Sequence, residues 1–253
     1  MKIKILVTLA FLSIILVSCK EKDLTLENPV LDKNNVVVAL SSVYDGHGIN
    51  RDSVIVNSVG NEFFIDSLQV LVTNFYMVDR TDTIDNAEPE AIALSTSRSL
   101  QSIAYIEPKG YQASFNLTIG LDSIGNITHS PSTSEGPYKM KSLYRGNGSS
   151  RGYNHIIIYG RLIDPANEND STGTIPLLYK IGTPELQITA SSLKTNFAVS
   201  NDGKITLILY VDLKSALDKL DLKKRPKIDS DPSNSQDITA AETMLESLNF
   251  QIF

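Results

Sequence analysis

Three histidines are the residues of this chain best suited to bind a transition metal, because imidazole nitrogen is a good ligand for such ions. They are His47, His129 and His155. Their spacing matches no short metal-binding motif, so only the fold could gather them, and a histidine without a metal is the competing interpretation for each. The sequence has no GxSxG, HExxH, CxxC, Walker or dinucleotide-binding motif. We therefore expect no enzymatic activity and no catalytic residue.

Cys19 is the only cysteine, and it ends an N-terminal segment typical of a secretory signal. Two lysines precede an apolar run over residues 5–17, which is too short to span a bilayer as a permanent helix. The tetrapeptide LVSC at 16–19 resembles the lipobox of bacterial lipoproteins, in which the cysteine is lipidated and the chain is cut just before it. The resemblance implies a signal peptide over 1–18 and lipidation of Cys19. The alternative is an ordinary cleaved signal with an incidental cysteine.

The charge of the chain limits its partners. A net charge of −6 provides no basic footprint for phosphates, so we expect no nucleic-acid partner. We expect membrane attachment through the N-terminal lipid. Residues 19–35 are polar and charged, which predicts a flexible tether, and their start is similar to surface-export signals of Bacteroidota lipoproteins. The expected location is the cell envelope, anchored to the bacterial outer membrane on its periplasmic or surface face.

The elements that must position these residues are predicted to be strands. From Val36 onward, short apolar or alternating segments are bounded by Gly, Pro, Asn, Asp and Ser. Many short strands joined by polar turns favour an all-β fold, an antiparallel β-sandwich over residues 36–253. The predicted strands lie at 36–40, 62–65, 68–78, 103–106, 111–119, 154–159, 175–179, 186–190, 196–199 and 205–211.

Short helical additions are predicted near the C-terminus. Apolar residues between Leu213 and Leu220 recur at helical spacing after Asp212, a candidate N-cap. A second helix is predicted from the capping-box pattern that begins at Thr239. The connection over 223–236 is charged and rich in Pro and Ser, so we expect it to be exposed.

A long Ser- and Gly-rich stretch from His129 to Arg151 is the preferred site for a ligand or partner. Loops of this length are uncommon unless they are functional or disordered. Tyrosine and arginine are enriched at contact surfaces. The candidate contact residues are Tyr138, Tyr144, Arg145 and Arg151. The alternative is a loop that binds nothing.

Several segments in sequence order resemble the MbnP-like family of exported, β-rich proteins associated with copper. The segments are VYDG at 43–46, FIDSLQVLVTNF at 64–75, FNLTIGLD at 115–122, YKIG at 179–182, VDL at 211–213 and the tail at 238–253. The resemblance implies a β-rich exported fold, a copper site and a di-haem peroxidase-like partner.

The copper ligands implied by this resemblance do not match the residues of this chain. Ser42 and Lys180 stand where the family pattern has histidines. The family's better-known sites also use an oxidisable tryptophan, and this chain has none; Tyr138 or Tyr144 lies in the corresponding region. An ammonium group cannot ligate a metal. We therefore predict a lipid-anchored binding or interaction module without a resident cofactor. The alternative is a copper-binding protein or metallochaperone that uses a non-standard histidine site.

Overall fold

A computed structural model describes residues 34–79, 82–85, 91–97, 101–106, 112–122, 125, 143–146, 152–164, 173–182, 187–191, 195–196, 204–230 and 235–253. The signal segment and Cys19 lie outside these residues. Lys33–Phe253 forms one compact unit. No helix within the described ranges is long and apolar enough to cross a membrane.

Strands dominate the described chain. They are β1 (Asn34–Tyr44), β2 (His47–Gly48), β3 (Ile55–Val56), β4 (Glu62–Asp79), β5 (Asp82–Asp85), β6 (Ala91–Ser95), β7 (Gln101–Ile106), β8 (Gln112–Ile119), β9 (Tyr144–Gly146), β10 (Gly152–Tyr153), β11 (Ile156–Ile163), β12 (Thr174–Ile181), β13 (Ile188–Ser191), β14 (Thr195–Asn196), β15 (Lys204–Asp212), β16 (Lys227–Asp229) and β17 (Asn249–Ile252). Two helices follow β15, namely α1 (Lys214–Asp218) and α2 (Ser235–Leu245). The predicted all-β class with short helices near the C-terminus is confirmed.

The described strands form two large sheets and one small one. The first sheet has the order β17-β15-β1-β2, and β7 also pairs with β1. The second follows β13-β8-β4-β11-β12-β16, with β3, β5, β6 and β14 as further partners, and β9 and β10 form a separate pair. Both large sheets are mixed rather than wholly antiparallel, because β1 pairs parallel with β15 and β12 pairs parallel with β16. These partners are distant in sequence, so local hairpin patterns could not reveal their direction.

The two large sheets enclose one apolar core. Val36, Val38 and Leu40 of β1 are in the same buried cluster as Leu68 of β4 and Ile158 of β11. Full burial of such a side chain contributes roughly 1.5–3 kcal/mol. The alternation of buried and exposed residues along β15 shows one face turned to this core and the other turned outward.

One strand of the second sheet is longer than predicted. The predicted strands at 62–65 and 68–78 are one continuous strand, β4. Its pairing with β8 shifts register between Thr73 and Tyr76, where Asn74 has φ of 48°. This bulge bends the strand and lets it pair with different neighbours along its length.

The starts of β1 and of the two helices differ from prediction. β1 begins at Asn34, inside the predicted tether. α1 begins at Lys214 with Leu213, not the predicted Asp212, at its N-cap, although the Asp212 carboxylate accepts a hydrogen bond from the N–H of Lys214 at 2.9 Å. α2 begins at Ser235 rather than at Thr239, whose hydroxyl donates to the Ser235 carbonyl inside the helix at 3.2 Å.

Candidate functional site

The predicted ligand loop is anchored at its C-terminal side, where β9 and β10 pair. Leu143 and Tyr153 are fully buried against Leu71 and Ile157, in a second apolar cluster separate from the main core. The Tyr144 ring packs on the Tyr153 ring with centroids 5.1 Å apart and planes at 57°. We call β9, β10 and the adjoining residues 228–230 the loop base. Tyr138, His129 and Arg151 lie outside the described residues.

Within the loop base, Arg145 connects β9 to Ser230, just after β16. Its guanidinium donates to the Ser230 carbonyl at 3.0 Å and, at the longer distance of 3.5 Å, to the Tyr153 carbonyl. Hydrogen bonds from a charged donor are stronger than neutral ones. Arg145 therefore acts first as a positioning residue.

Ser230 is the buried partner that sequence reasoning missed. Its side chain is fully buried, and its hydroxyl accepts a hydrogen bond from the N–H of Gly182 at 2.8 Å. Its own N–H donates to the Lys180 carbonyl at 3.0 Å. The connection over 223–236 was expected to be exposed, but β16 adds to the edge of β12 and carries Ser230 inward. No sequence signal marks this, because the contact joins segments far apart.

Asn154 adds a buried acceptor to the loop base. Its side chain is 2% exposed, and its Nδ2 donates to the Leu143 carbonyl at 3.2 Å. Its Oδ1 has no hydrogen-bond partner among the described residues. A buried acceptor without a hydrogen bond costs about 1–3 kcal/mol. The Oδ1 atom is therefore suited to accept a hydrogen bond from a water molecule or from a ligand.

His155 and His47 have unrelated surroundings. His155 is fully buried, and its Nε2 lies 3.2 Å from the Leu121 amide nitrogen. Because that amide can only donate, Nε2 accepts, and a neutral ring carries its proton on Nδ1. His47 is exposed on the β1–β2 hairpin, and its Nδ1 donates to the Asp45 carbonyl at 2.8 Å.

The residues at the implied copper positions do not fit a copper ion. Ser42 is buried in β1, and Lys180 pairs with Asp229 at 3.3 Å. Neither supplies an imidazole, and the Nε2 lone pair of His155 is already used. In the described part of the chain, no group of three or more His, Cys, Asp or Glu side chains is placed to hold a metal.

Comparisons with known proteins gave one structural match. The family models and the curated proteins compared with this chain gave no match. Among solved structures, the chain is similar to MbnP from Methylosinus trichosporium, with 13% identity over 74% of this chain and 78% of that one and a TM-score of 0.47. The likeness concerns the fold, and at this level it assigns neither family membership nor function.

Proposed function

We propose that this protein is a lipid-anchored, extracytoplasmic binding module that presents the stretch from His129 to Arg151 to a partner. The observation that carries the proposal is the fixed loop base. Arg145 ties β9 to Ser230, and Tyr144 packs on Tyr153. The stretch is thus attached at its C-terminal side to a rigid scaffold, which is a common arrangement for binding residues.

A fixed base favours binding, because attachment points that are already ordered reduce the entropy that association costs. Tyr138 and Arg151 belong to residue types that are enriched at energetic centres of interfaces. The family resemblance supports a di-haem peroxidase-like protein as the partner. The lipobox resemblance around Cys19 supports anchoring to the outer membrane, on its periplasmic or surface face.

Site-specific photo-crosslinking in intact cells tests the loop. A photoreactive amino acid replaces Tyr138 in one variant and Val59, an exposed residue of another turn, in the matched control. We expect a defined protein adduct at position 138 and none at 59. Adding Arg145→Gln should weaken the adduct severalfold, because the loop base loses its tie to Ser230. Equal labelling at the two positions would contradict the proposal.

The copper-binding alternative makes a different prediction. A site assembled from His47, His129 and His155 should bind copper at submicromolar concentration, and His129→Ala should remove that binding. We propose instead that the protein has no resident metal and no enzymatic activity. Calorimetric titration with copper in a non-coordinating buffer separates the two, because submicromolar binding would favour the alternative.

A further inference from the structure

The outer face of the first sheet carries a cleft that is separate from the loop base. The cleft encloses about 450 Å³ and lies over β15 and β17, beside the β1–β2 turn. Small-molecule sites typically enclose roughly 300–1,000 Å³. Leu209 and Val211 of β15 point into the core, so Tyr210 and Asp212 point outward and line this cleft.

Strand pairing places the lining side chains in adjacent rows. Tyr210 lies opposite Gln251, and Asp212 lies opposite Asn249. Phe253 continues β17 through two backbone hydrogen bonds with Ile208, at 2.8 and 3.1 Å. The result is two neighbouring carboxamides and one carboxylate beside two aromatic rings.

The aromatic end of the cleft exposes apolar ring surface. The rings of Tyr210 and Phe253 meet edge to face, with centroids 5.3 Å apart and planes at 87°. Phe253 is 63% exposed, one of the few large hydrophobic side chains exposed to this degree in the described structure. A ring held in this way offers a flat surface for the C–H groups of a ligand.

The polar end offers donors and acceptors that the described structure does not use. No hydrogen bond from the Asn249 or Gln251 carboxamide to another described residue is found, and both residues are exposed. Asp212 accepts one bond from the N–H of Lys214 and retains further acceptor capacity. A carboxamide both donates and accepts hydrogen bonds. It can therefore bond to a ligand hydroxyl group whether that hydroxyl acts as donor or as acceptor.

The chemistry of the lining selects among ligand classes. An anion would find no cationic side chain among the lining residues. A metal ion would find a single carboxylate where such ions prefer several oxygen ligands. A wholly apolar ligand would bury the two carboxamides without partners, which is unfavourable. A neutral, polyhydroxylated ring fits both ends of the cleft, because its C–H groups can pack on the aromatic rings and its hydroxyls can bond to the polar side chains.

We propose that this cleft, which we call the sheet-face cleft, binds a neutral saccharide, with Tyr210 and Phe253 against a sugar ring and Asp212, Asn249 and Gln251 bonded to its hydroxyls. The proposal goes beyond the loop-mediated function and does not depend on it. Each site can be lost without loss of the other.

Saturation-transfer NMR and calorimetry test the sheet-face cleft with defined probes. These are maltotetraose, cellotetraose and mannotetraose, with tetragalacturonate as an anionic and spermidine as a cationic comparator. We expect at least one neutral tetrasaccharide to bind with a Kd below about 10 mM. Phe253→Ala and Gln251→Ala should each weaken that binding at least about fivefold, since one loses a ring surface and the other a hydrogen-bonding group.

Thr206→Ala is the matched control, because Thr206 is exposed on the same strand and does not line the cleft. It should leave the affinity unchanged. Gln251→Ala removes an exposed side chain, so it tests the cleft even if Phe253→Ala perturbs folding. The proposal is overturned if none of the three neutral probes binds, if binding survives in both cleft variants, or if only tetragalacturonate or spermidine binds.

Discussion

Gly120 and His155 are so close that no side chain fits between them. Gly120 has φ of +103°, and a Cβ there would lie 2.3 Å from His155 Nδ1. Gly120→Ala should therefore lower the free energy of unfolding by about 2–4 kcal/mol, because it adds backbone strain to a steric clash. Urea denaturation measures the loss. Gly48→Ala is the control, since its Cβ would meet nothing within 4 Å. Equal losses in the two variants would refute this explanation.

Two tyrosines with raised pKa values make the stability of the fold depend on pH. Burial raises the pKa of Tyr179 above its usual value near 10, and burial together with a hydrogen bond to Asp218 raises that of Tyr44. As pH rises, the unfolded chain therefore loses these protons before the folded protein does. Their contribution to the free energy of unfolding is present below pH 10 and is lost as pH rises above it. The Tyr179 proton changes the free energy of unfolding by about 1.4 kcal/mol per pH unit in that range. The more exposed Tyr44 contributes less, because solvent screens its interactions.

Tyr179→Phe tests this dependence. The Tyr179 hydroxyl donates to the Arg225 carbonyl at 3.0 Å, so the variant should lose about 1 kcal/mol near pH 7. Above pH 10 the free energy of unfolding of the variant should fall less steeply with pH than that of the wild type. The two slopes should differ by about 1.4 kcal/mol per pH unit, the contribution of one proton. Denaturant titrations at several pH values between 8 and 11 provide the measurement. Parallel curves across that range would show that Tyr179 ionises normally in the folded protein.

At the scale of elements, the C-terminal helix and strand complete the core. Met244 of α2 and Ile252 of β17 are buried in the main cluster. Met244→Ala should lower the free energy of unfolding by about 2–4 kcal/mol, since it leaves a cavity. Thr243→Ala on the exposed side of α2 should cost about 0.5 kcal/mol or less. Truncation after Gln236 should lower the melting temperature markedly, and an unchanged value would contradict the packing described here.

The sequence predicted long elements better than short ones. Strands such as β4, β11 and β15 were predicted because apolar runs or alternation extend over many residues. β3, β9 and β16 have two or three residues each, too few to show a period. Their pairing is decided by neighbours distant in sequence. The tail ends in β17, and its pairing with β15 brings the C-terminal residues back onto the first sheet.

At the scale of the whole molecule, we propose that lipid attachment at Cys19 determines where the protein resides. We predict that wild-type protein partitions into the detergent phase of a Triton X-114 extract and that Cys19→Ser moves it to the aqueous phase, because the acyl chains supply the membrane affinity. Lys22→Ala, three residues beyond the LVSC tetrapeptide, is the control and should behave as wild type. Retention of the Cys19→Ser variant in the detergent phase would argue against lipidation at this residue.

The candidate sites were predictable only in part. Tyr144 and Arg145 were predicted as contact residues from their residue types in a long Ser- and Gly-rich stretch. The burial of Tyr153 and the hydrogen bond from Arg145 to Ser230 could be seen only in the folded structure. His155 was a candidate ligand because imidazole binds metals. Its actual surroundings depend on Gly120 and Leu121, which another strand brings to the ring.

The sequence by itself predicted the signal and lipidation residues from the local order of residues. It determined the all-β class and most strand positions through alternation with period two. Only the tertiary structure decided which strands are neighbours. Alternation along β15 and the tail marks Tyr210 and Gln251 as outward-facing, but their meeting in one cleft depends on the register of β15 with β17. Register is set by the packing of whole sheets, so the sheet-face cleft could not be found by local pattern.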